Sequence, residues 1–209
     1  MDDTLITGNT WLKFNTFLGV SEDDDYRLYK AFINKEITYT QWLEELTNLY
    51  NVSDTQIPKE AVTALLTDIT LAPGAQEAVA FCLKNGLIPV LITGSFDTTA
   101  KAVAAQLGIQ NYVANTQCEY DDTANLKGIV SQGDEGESKV RQLRSLCRSL
   151  GISPETHCIA VGDSSNDIPL FVETGCGITF TWAKQPVQSA SSAQIDSLID
   201  LPHTLQPLL

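Results

Sequence analysis

Positive charge is scarce in this sequence. Its 209 residues hold 13 Lys and Arg against 26 Asp and Glu, a formal net charge of -13. Such a surface repels nucleic acid and anionic lipid, so neither is expected as a partner, and an anionic ligand would need a local cation to hold it. Histidine is nearly absent. His157 and His203 stand alone, without a Cys or His at ligand spacing, which argues against a zinc site. Cysteine is too sparse and too scattered for a disulfide frame. There are five (Cys82, Cys118, Cys147, Cys158 and Cys176), an odd number with no Cys-x-x-Cys, and most sit in apolar surroundings. They read as reduced core residues of a cytoplasmic protein. No apolar run approaches the roughly 18 residues a membrane helix needs. The first residues, MDDTLITG, have no basic stretch followed by an apolar one and do not read as a signal peptide.

What is present is ordinary for a globular chain, with 43% hydrophobic and 19% charged residues. The length fits one domain, or a core domain with a small accessory one. From about Thr10 to Thr70 the pattern is helical. Trp11, Phe14, Phe17 and Leu18 recur at helical spacing up to Gly19, Ser21 is placed to cap "EDDDYRLYKAFI", "TYTQWLEELTNLY" reads the same way, and "PKEAVTALLTDI" starts on proline. This is a small unit of four helical segments. After "LAPGA" the pattern changes. Apolar runs of strand length ("LIPVLIT", "YVANT", "HCIAVG", "CGITF") alternate with helical stretches, and "CEYDDTANLKGIV" reads as a hairpin. Such alternation predicts an α/β fold with a doubly wound parallel sheet, whose ligands bind beyond the carboxyl ends of the strands.

Three of those ends carry candidate chemistry. Thr93 and Gly94 follow "LIPVLI" directly, so a hydroxyl and free backbone N–H groups stand where an oxyanion could bind; an ordinary strand-to-helix turn has the same composition. Asp163 follows "CIAV" by one glycine and Asp167 lies four residues later. Carboxylates crowded at one strand end repel one another unless a cation sits between them, and hard oxygen ligands favour Mg²⁺; an Asp cap with a solvated acid beyond it is the plainer alternative. Lys139 sits in the first turns of "GESKVRQLRSL", where a cation opposes the helix dipole. By itself it is a surface lysine, but beside two carboxylates and a phosphate it would neutralise charge.

Taken in order, Asp-Asp-Thr-Leu, the strand ending in Thr-Gly-Ser-Phe, Lys139 and Gly-Asp-Ser-Ser-Asn-Asp resemble the haloacid dehalogenase superfamily in its phosphoserine-phosphatase-like branch. The resemblance covers nearly the whole chain. It implies a core of residues 1–7 and 73–209 with an inserted α-helical cap of residues 8–72. It implies a Mg²⁺-dependent phosphatase acting on a small phosphorylated metabolite through an aspartyl-phosphate. Asp2 would be the general acid and base, with Thr93, Gly94 and Lys139 on the phosphoryl oxygens. Mg²⁺ would be held by the nucleophilic aspartate, the backbone carbonyl of Asp2 and the side chain of Asp163, with Asp167 in the metal set or positioning its waters or Lys139.

The family's first motif is Asp-x-Asp-x-Thr. Matching Thr4 to its threonine makes Asp2 the second aspartate and puts the nucleophile one position before Met1, together with the strand that should carry it. The other register, with Asp2 as nucleophile, sets Ile6 at the threonine position and is rejected. The chain is therefore expected to begin inside the motif, and to be inactive with a weakened sheet as it stands. A non-catalytic phosphate-binding or interaction protein of the same fold is the competing expectation; a response-regulator receiver, smaller and without an inserted helical unit, fits less well. In the cap, the family's amine- and carboxylate-binding positions fall at Asn9 and Glu44 by ungapped matching, and an acid at Glu44 would repel phosphoserine. Trp42, on the same helix, reads as cap core or as pocket wall.

Overall fold

The computed structural model describes residues 1–50 and 56–208. Residues 51–55 of the expected cap, and Leu209 at the end of the expected core, lie outside the described residues.

Four helices follow the first motif: α1 (Thr10–Phe17), α2 (Glu22–Ile33), α3 (Tyr39–Asn48) and α4 (Lys59–Thr67). Their starts are written locally. Asn9 Oδ1 accepts from the Leu12 N–H at 3.0 Å, Ser21 Oγ accepts from the Asp24 N–H at 3.1 Å, and Thr38 with Gln41 closes a reciprocal capping box. Four acids, Glu22 to Asp25, fill the first turn of α2, where the helix dipole favours them. The apolar faces of the four helices meet around Phe14, Leu28, Leu46 and Val62, and the cluster also takes in Phe96 and Leu126 from the rest of the chain. Burying each such side chain contributes about 1.5–3 kcal/mol. The chain enters and leaves this unit as one narrow ribbon. Ile6 bridges Leu71 in antiparallel fashion, the Thr7 N–H donates to the Thr70 carbonyl at 2.9 Å, and the Ala72 N–H donates to the Leu5 carbonyl at 2.8 Å.

The remainder alternates strand and helix. In order it runs α5 (Ala75–Lys84), β1 (Val90–Phe96), α6 (Asp97–Leu107), β2 (Asn111–Tyr120), β3 (Leu126–Ser131), α7 (Glu135–Leu150), α8 (Pro154–His157), β4 (Ala160–Val161), α9 (Ile168–Thr174), β5 (Gly177–Phe180), α10 (Gln185–Ala190), β6 (Ala193–Ile195) and α11 (Leu201–Leu205). The β1–β2 pair is parallel and β2–β3 is an antiparallel hairpin, while β4, β5 and β6 are parallel throughout. The fold is thus α/β with parallel pairing.

It differs from the expected single sheet in one respect. The strands form two three-stranded sheets, β1-β2-β3 and β4-β5-β6, and among the described residues no pairing joins β1 to β4. The two sheets are held together by side chains instead. Leu91 and Ala114 of the first share a cluster with Ile178, Phe180 and Ile195 of the second, and Ile92 packs against the cluster of Leu143, Ala160 and Phe171. β6 escapes sequence reading because three residues, Ala-Gln-Ile, carry too little apolar pattern.

All five cysteines are free. Burial pushes the Cys118 and Cys158 thiols up to about 11, so neither behaves as a thiolate near neutrality.

Candidate active site

The ends of β1 and β4 and the start of α7 converge on one cavity of about 950 Å³, roofed by the four-helix unit. Its wall brings together Asp2, Thr93, Gly94, Lys139, Asp163 and Asp167, and from the helical unit Asn9 and Trp42. Trp42 is both things at once, a wall residue and a member of the cap's apolar cluster at 7% exposure. Glu44 is not brought in. It is exposed on α3 and lines no part of the cavity, because the cap-core residue Trp42 and its neighbour Leu46 turn the other face of α3 inward. The ungapped match thus carried Glu44 to the wrong side of the helix, and the repulsion expected there has no site from which to act.

The base of the cavity is organised by an ion pair. Lys139 reaches from the second turn of α7 and its Nζ donates to Asp167 Oδ1 at 2.6 Å and to Asn166 Oδ1 at 3.0 Å. The other oxygen of Asp167 accepts from the N–H groups of Asp163 and Ser164, each at 3.1 Å. Gly162 makes this possible: a Cβ there would fall 2.4 Å from the Asp167 carboxyl carbon. Burial works to raise the Asp167 carboxyl, but the Lys139 ammonium beside it wins and holds it below the usual range. Burial likewise works to discharge Lys139, and Asp167 with Glu135 outweighs it and raises the ammonium. Both members of the pair are therefore charged.

The first motif stands opposite. Thr4 Oγ1 donates to Asp163 Oδ1 at 2.5 Å, tying the chain start to the β4 loop. Asp2 Oδ1 accepts from the Thr10 N–H at 3.3 Å and from the Thr10 hydroxyl, so the first turn of α1 orients the Asp2 carboxylate. Asp163 is raised above the usual carboxylate range by burial, with Asp167 and Asp3 adding repulsion.

A carboxylate in this position calls for a cation, and Asp2 and Asp163 on one wall suit a hard ion. Mg²⁺ is commonly held by one or two carboxylates and completes its shell with water and phosphate oxygens. The three-carboxylate set expected from the sequence does not form. Asp167 has both oxygens engaged by Lys139 and the loop donors, and among the described residues no group of three His, Cys, Asp or Glu is placed to hold a metal. The physical reason is that a buried lysine must be paired, and Asp167 is the acid that pairs it.

Sequence reading missed two wall residues, Glu135 and Ser95. Glu135, at the first turn of α7, lays its carboxyl against Gly94, where a Cβ would come within 2.2 Å of the carboxyl carbon. Glu135 Oε2 accepts from Asn166 Nδ2 at 2.5 Å. Burial raises the Glu135 carboxyl, against the pull of Lys139. Ser95, 3% exposed, lines the cavity, and its hydroxyl has no partner among the described residues. The available signals were "EGESK", whose first acid stands one turn ahead of its lysine, and the Ser that follows Thr93-Gly94.

This geometry has counterparts in known proteins. A family model described as haloacid dehalogenase-like hydrolase matches residues 1–171. A phosphoserine phosphatase of Albidiferax ferrireducens is 36% identical over 129 residues, covering 60% of this chain and 53% of that relative. One from Methanocaldococcus jannaschii is 26% identical over 182 residues, 86% of this chain and 82% of that protein. The chain spans only 53–60% of the first three curated relatives it matches. A solved structure of a substrate-bound phosphoserine phosphatase complex superposes with a TM-score of 0.79 at 22% identity, over all of this chain and 95% of that one, a likeness of fold. Every strand-end residue at the cavity base lies inside the stretch the family model matches, and the chain belongs to the haloacid dehalogenase-like hydrolases.

Proposed function

We propose that this chain is a Mg²⁺-dependent phosphomonoester hydrolase acting on a small phosphorylated metabolite through an aspartyl-phosphate, with residues 8–72 serving as its cap. The observation that carries the reading is the buried Lys139–Asp167 pair at the mouth shared by the Asp163 loop and Thr93–Gly94, which lie not in a turn but at the irregular end of β1. An ammonium already positioned, desolvated and flanked by a hydroxyl and a free N–H suits a phosphoryl group, whose transfer depends mainly on positioning and charge neutralisation.

In this reading Thr93 Oγ1, the Gly94 N–H and Lys139 Nζ hold the non-bridging oxygens. Asp167 keeps Lys139 charged and in place. Asp2, oriented by Thr10, gives its proton to the departing alkoxide and then takes one from the attacking water. The backbone carbonyl of Asp2 and the side chain of Asp163 would hold Mg²⁺, which supplies further charge neutralisation to the phosphoryl oxygens when bound. The cap roofs the cavity and excludes bulk water. The nucleophile belongs two residues before Asp2 in the register that sets Thr4 as the motif threonine. The free thiols suit a reducing compartment such as the cytoplasm.

The test uses a polypeptide extended by an apolar strand ending in Asp directly before Met1, assayed with p-nitrophenyl phosphate and Mg²⁺. Turnover that falls about 10²–10⁴-fold on Asp2→Asn supports the assignment. The 209-residue chain alone is expected to bind phosphate without turning it over. Robust Asp2-dependent turnover by that shorter chain overturns the register. An extended chain that binds phosphate but never releases it from an ester supports the non-catalytic reading instead.

A further inference from the structure

The cavity wall is lopsided. On the core side it holds Lys139 and the exposed Lys184; on the cap side, among the described residues, it holds no Lys or Arg at all. The cap contributes three carboxylates from the first turn of α2 (Glu22, Asp23 and Asp25) and a set of aromatic rings that includes Trp11, Tyr29 and Trp42.

These acids are not all loose surface groups. Asp25 Oδ1 accepts from Asn15 Nδ2 at 2.6 Å, and the fully buried Asn15 in turn accepts at Oδ1 from the Tyr50 hydroxyl at 2.8 Å. A three-residue relay thus fixes Asp25, and Asp25 forms no ion pair among the described residues. The aromatic side is equally rigid. Trp11 meets Trp42 edge-on at 5.3 Å between ring centroids and lies 4.8 Å from Phe96. At the far end, next to Gly94, the buried Ser95 hydroxyl lines the cavity without a partner, a polar group waiting for an oxygen.

We propose that the ligand of this cavity is a phosphomonoester whose other end is an organic ammonium group without a carboxylate. The inference rests on the phosphohydrolase reading above and deepens it. The phosphoryl end is met by Lys139, the Gly94 N–H and Ser95. The other end faces a fixed carboxylate, two neighbouring acids and ring faces. A positively charged nitrogen against aromatic faces is attracted by the ring quadrupole, more so when desolvated. A carboxylate at the same place would meet Asp25 with no cation to offset the repulsion. Phosphoserine carries both groups; its ammonium meets carboxylates, while its carboxylate would find, among the described residues, no cation on the cap wall, only the unpaired indole N–H groups of Trp11 and Trp42.

Titration calorimetry on the full chain in Mg²⁺ tests this with three probes: O-phosphoethanolamine, O-phosphoserine and inorganic phosphate. Phosphoethanolamine is expected to bind about tenfold tighter than phosphoserine, about 1.4 kcal/mol. Asp25→Asn, checked for native circular dichroism, is expected to weaken phosphoethanolamine about five- to tenfold, with inorganic phosphate as the internal reference. Should Asp25→Asn loosen the cap, Asp23→Asn on the exposed surface of α2 gives the same reading without touching Asn15. Phosphoserine binding as tightly as phosphoethanolamine, or phosphoethanolamine indifferent to both substitutions, overturns the proposal and leaves the phosphoryl site standing. If inorganic phosphate does not bind either, the phosphohydrolase reading falls and takes this one with it.

Discussion

The two ends of the cavity treat charge in opposite ways. At the base, the buried ammonium is matched: Lys139 has Asp167, and Asp167 has Lys139 and two backbone N–H groups. At the roof, Glu22, Asp23 and Asp25 stand together with no cation beside them on the wall. A matched pair is built once, on folding, and waits for any phosphoryl group. An unmatched carboxylate is completed only by what arrives. In the proposed reading the base serves the shared reaction and the roof discriminates among substrates, as function grafted onto a common fold allows.

The sharpest way to break this contrast is to unmatch the base. Lys139→Met is expected to cost about 3–5 kcal/mol by urea denaturation, because it leaves Asp167 charged and alone in the interior. The double variant Lys139→Met/Asp167→Leu should recover most of that loss, since replacing both partners by apolar groups is often neutral. Equal loss in single and double variants would show that the pair is not what holds the base together.

A smaller effect is expected at the roof. Asn15→Ala removes the buried link between Tyr50 and Asp25 and should cost about 1–3 kcal/mol. Its signature is a cap that melts earlier while phosphate binding at the base persists. Loss of phosphate binding in step with cap stability would contradict the independence of the two ends.

The base also carries a pH signature with two signs. Asp167 is depressed in the folded chain, so its contribution is present above the ordinary aspartate range, about 3.9, and is lost as the pH falls through its lowered value. Asp163 and Glu135 are raised, so each destabilises the fold when ionised, and stability is regained as the pH falls from above their raised values toward the ordinary carboxylate range. Chemical denaturation should therefore show stability rising on mild acidification and collapsing only in stronger acid. Adding Mg²⁺ should flatten the rise by keeping Asp163 ionised, and Asp163→Asn should remove that Mg²⁺ effect. A monotonic fall from neutral pH would refute the assignment.

The least expected change is at Arg144–Glu173. That pair is bidentate, with 2.6 and 2.7 Å contacts, but lies at the exposed surface, where ion pairs are screened. Arg144→Met should leave the denaturation midpoint nearly in place, a useful contrast to Lys139→Met.

Much of this was legible before any coordinates. Helix caps are local chemistry, so Ser21 and the run of acids behind it announce α2 without help from the fold. Strand-end signatures are nearly as local, and Thr93, Gly94, Lys139 and Asp163 come to one cavity because each lies at the end of an apolar strand or starts a helix where β1 and β4 finish side by side. Pairings were harder. Nothing in Gly-Asp-Ser-Ser-Asn-Asp says whether its second Asp faces a metal or a lysine; that depends on how far Lys139 reaches across from α7. Glu135 looks like any first-turn acid until Gly94 is seen to leave room for it. The reading of Glu44 failed because position along a helix was carried over without the side it faces. The split sheet was legible as the weakened sheet that the motif register implies, but its place between β1 and β4 was not, since each strand alone keeps its pattern.

The ribbon of Leu5–Thr7 against Thr70–Ala72 deserves a last thought. Both chain crossings between cap and core run through it, side by side, and it begins directly after Thr4, the residue bonded to Asp163. The strap is not the roof's one tie: the Leu126 N–H donates to the Ile57 carbonyl at 2.8 Å, the Lys59 N–H to the Ala124 carbonyl at 2.9 Å and Thr99 Oγ1 to the Leu66 carbonyl at 2.9 Å, so the helical unit is braced on its flank as well as strapped at its ends. Any displacement of the braced roof reaches Thr4 and Asp2 through the strap, so how well a guest seats against α2 and how the Asp2 carboxylate is aimed are mechanically one setting.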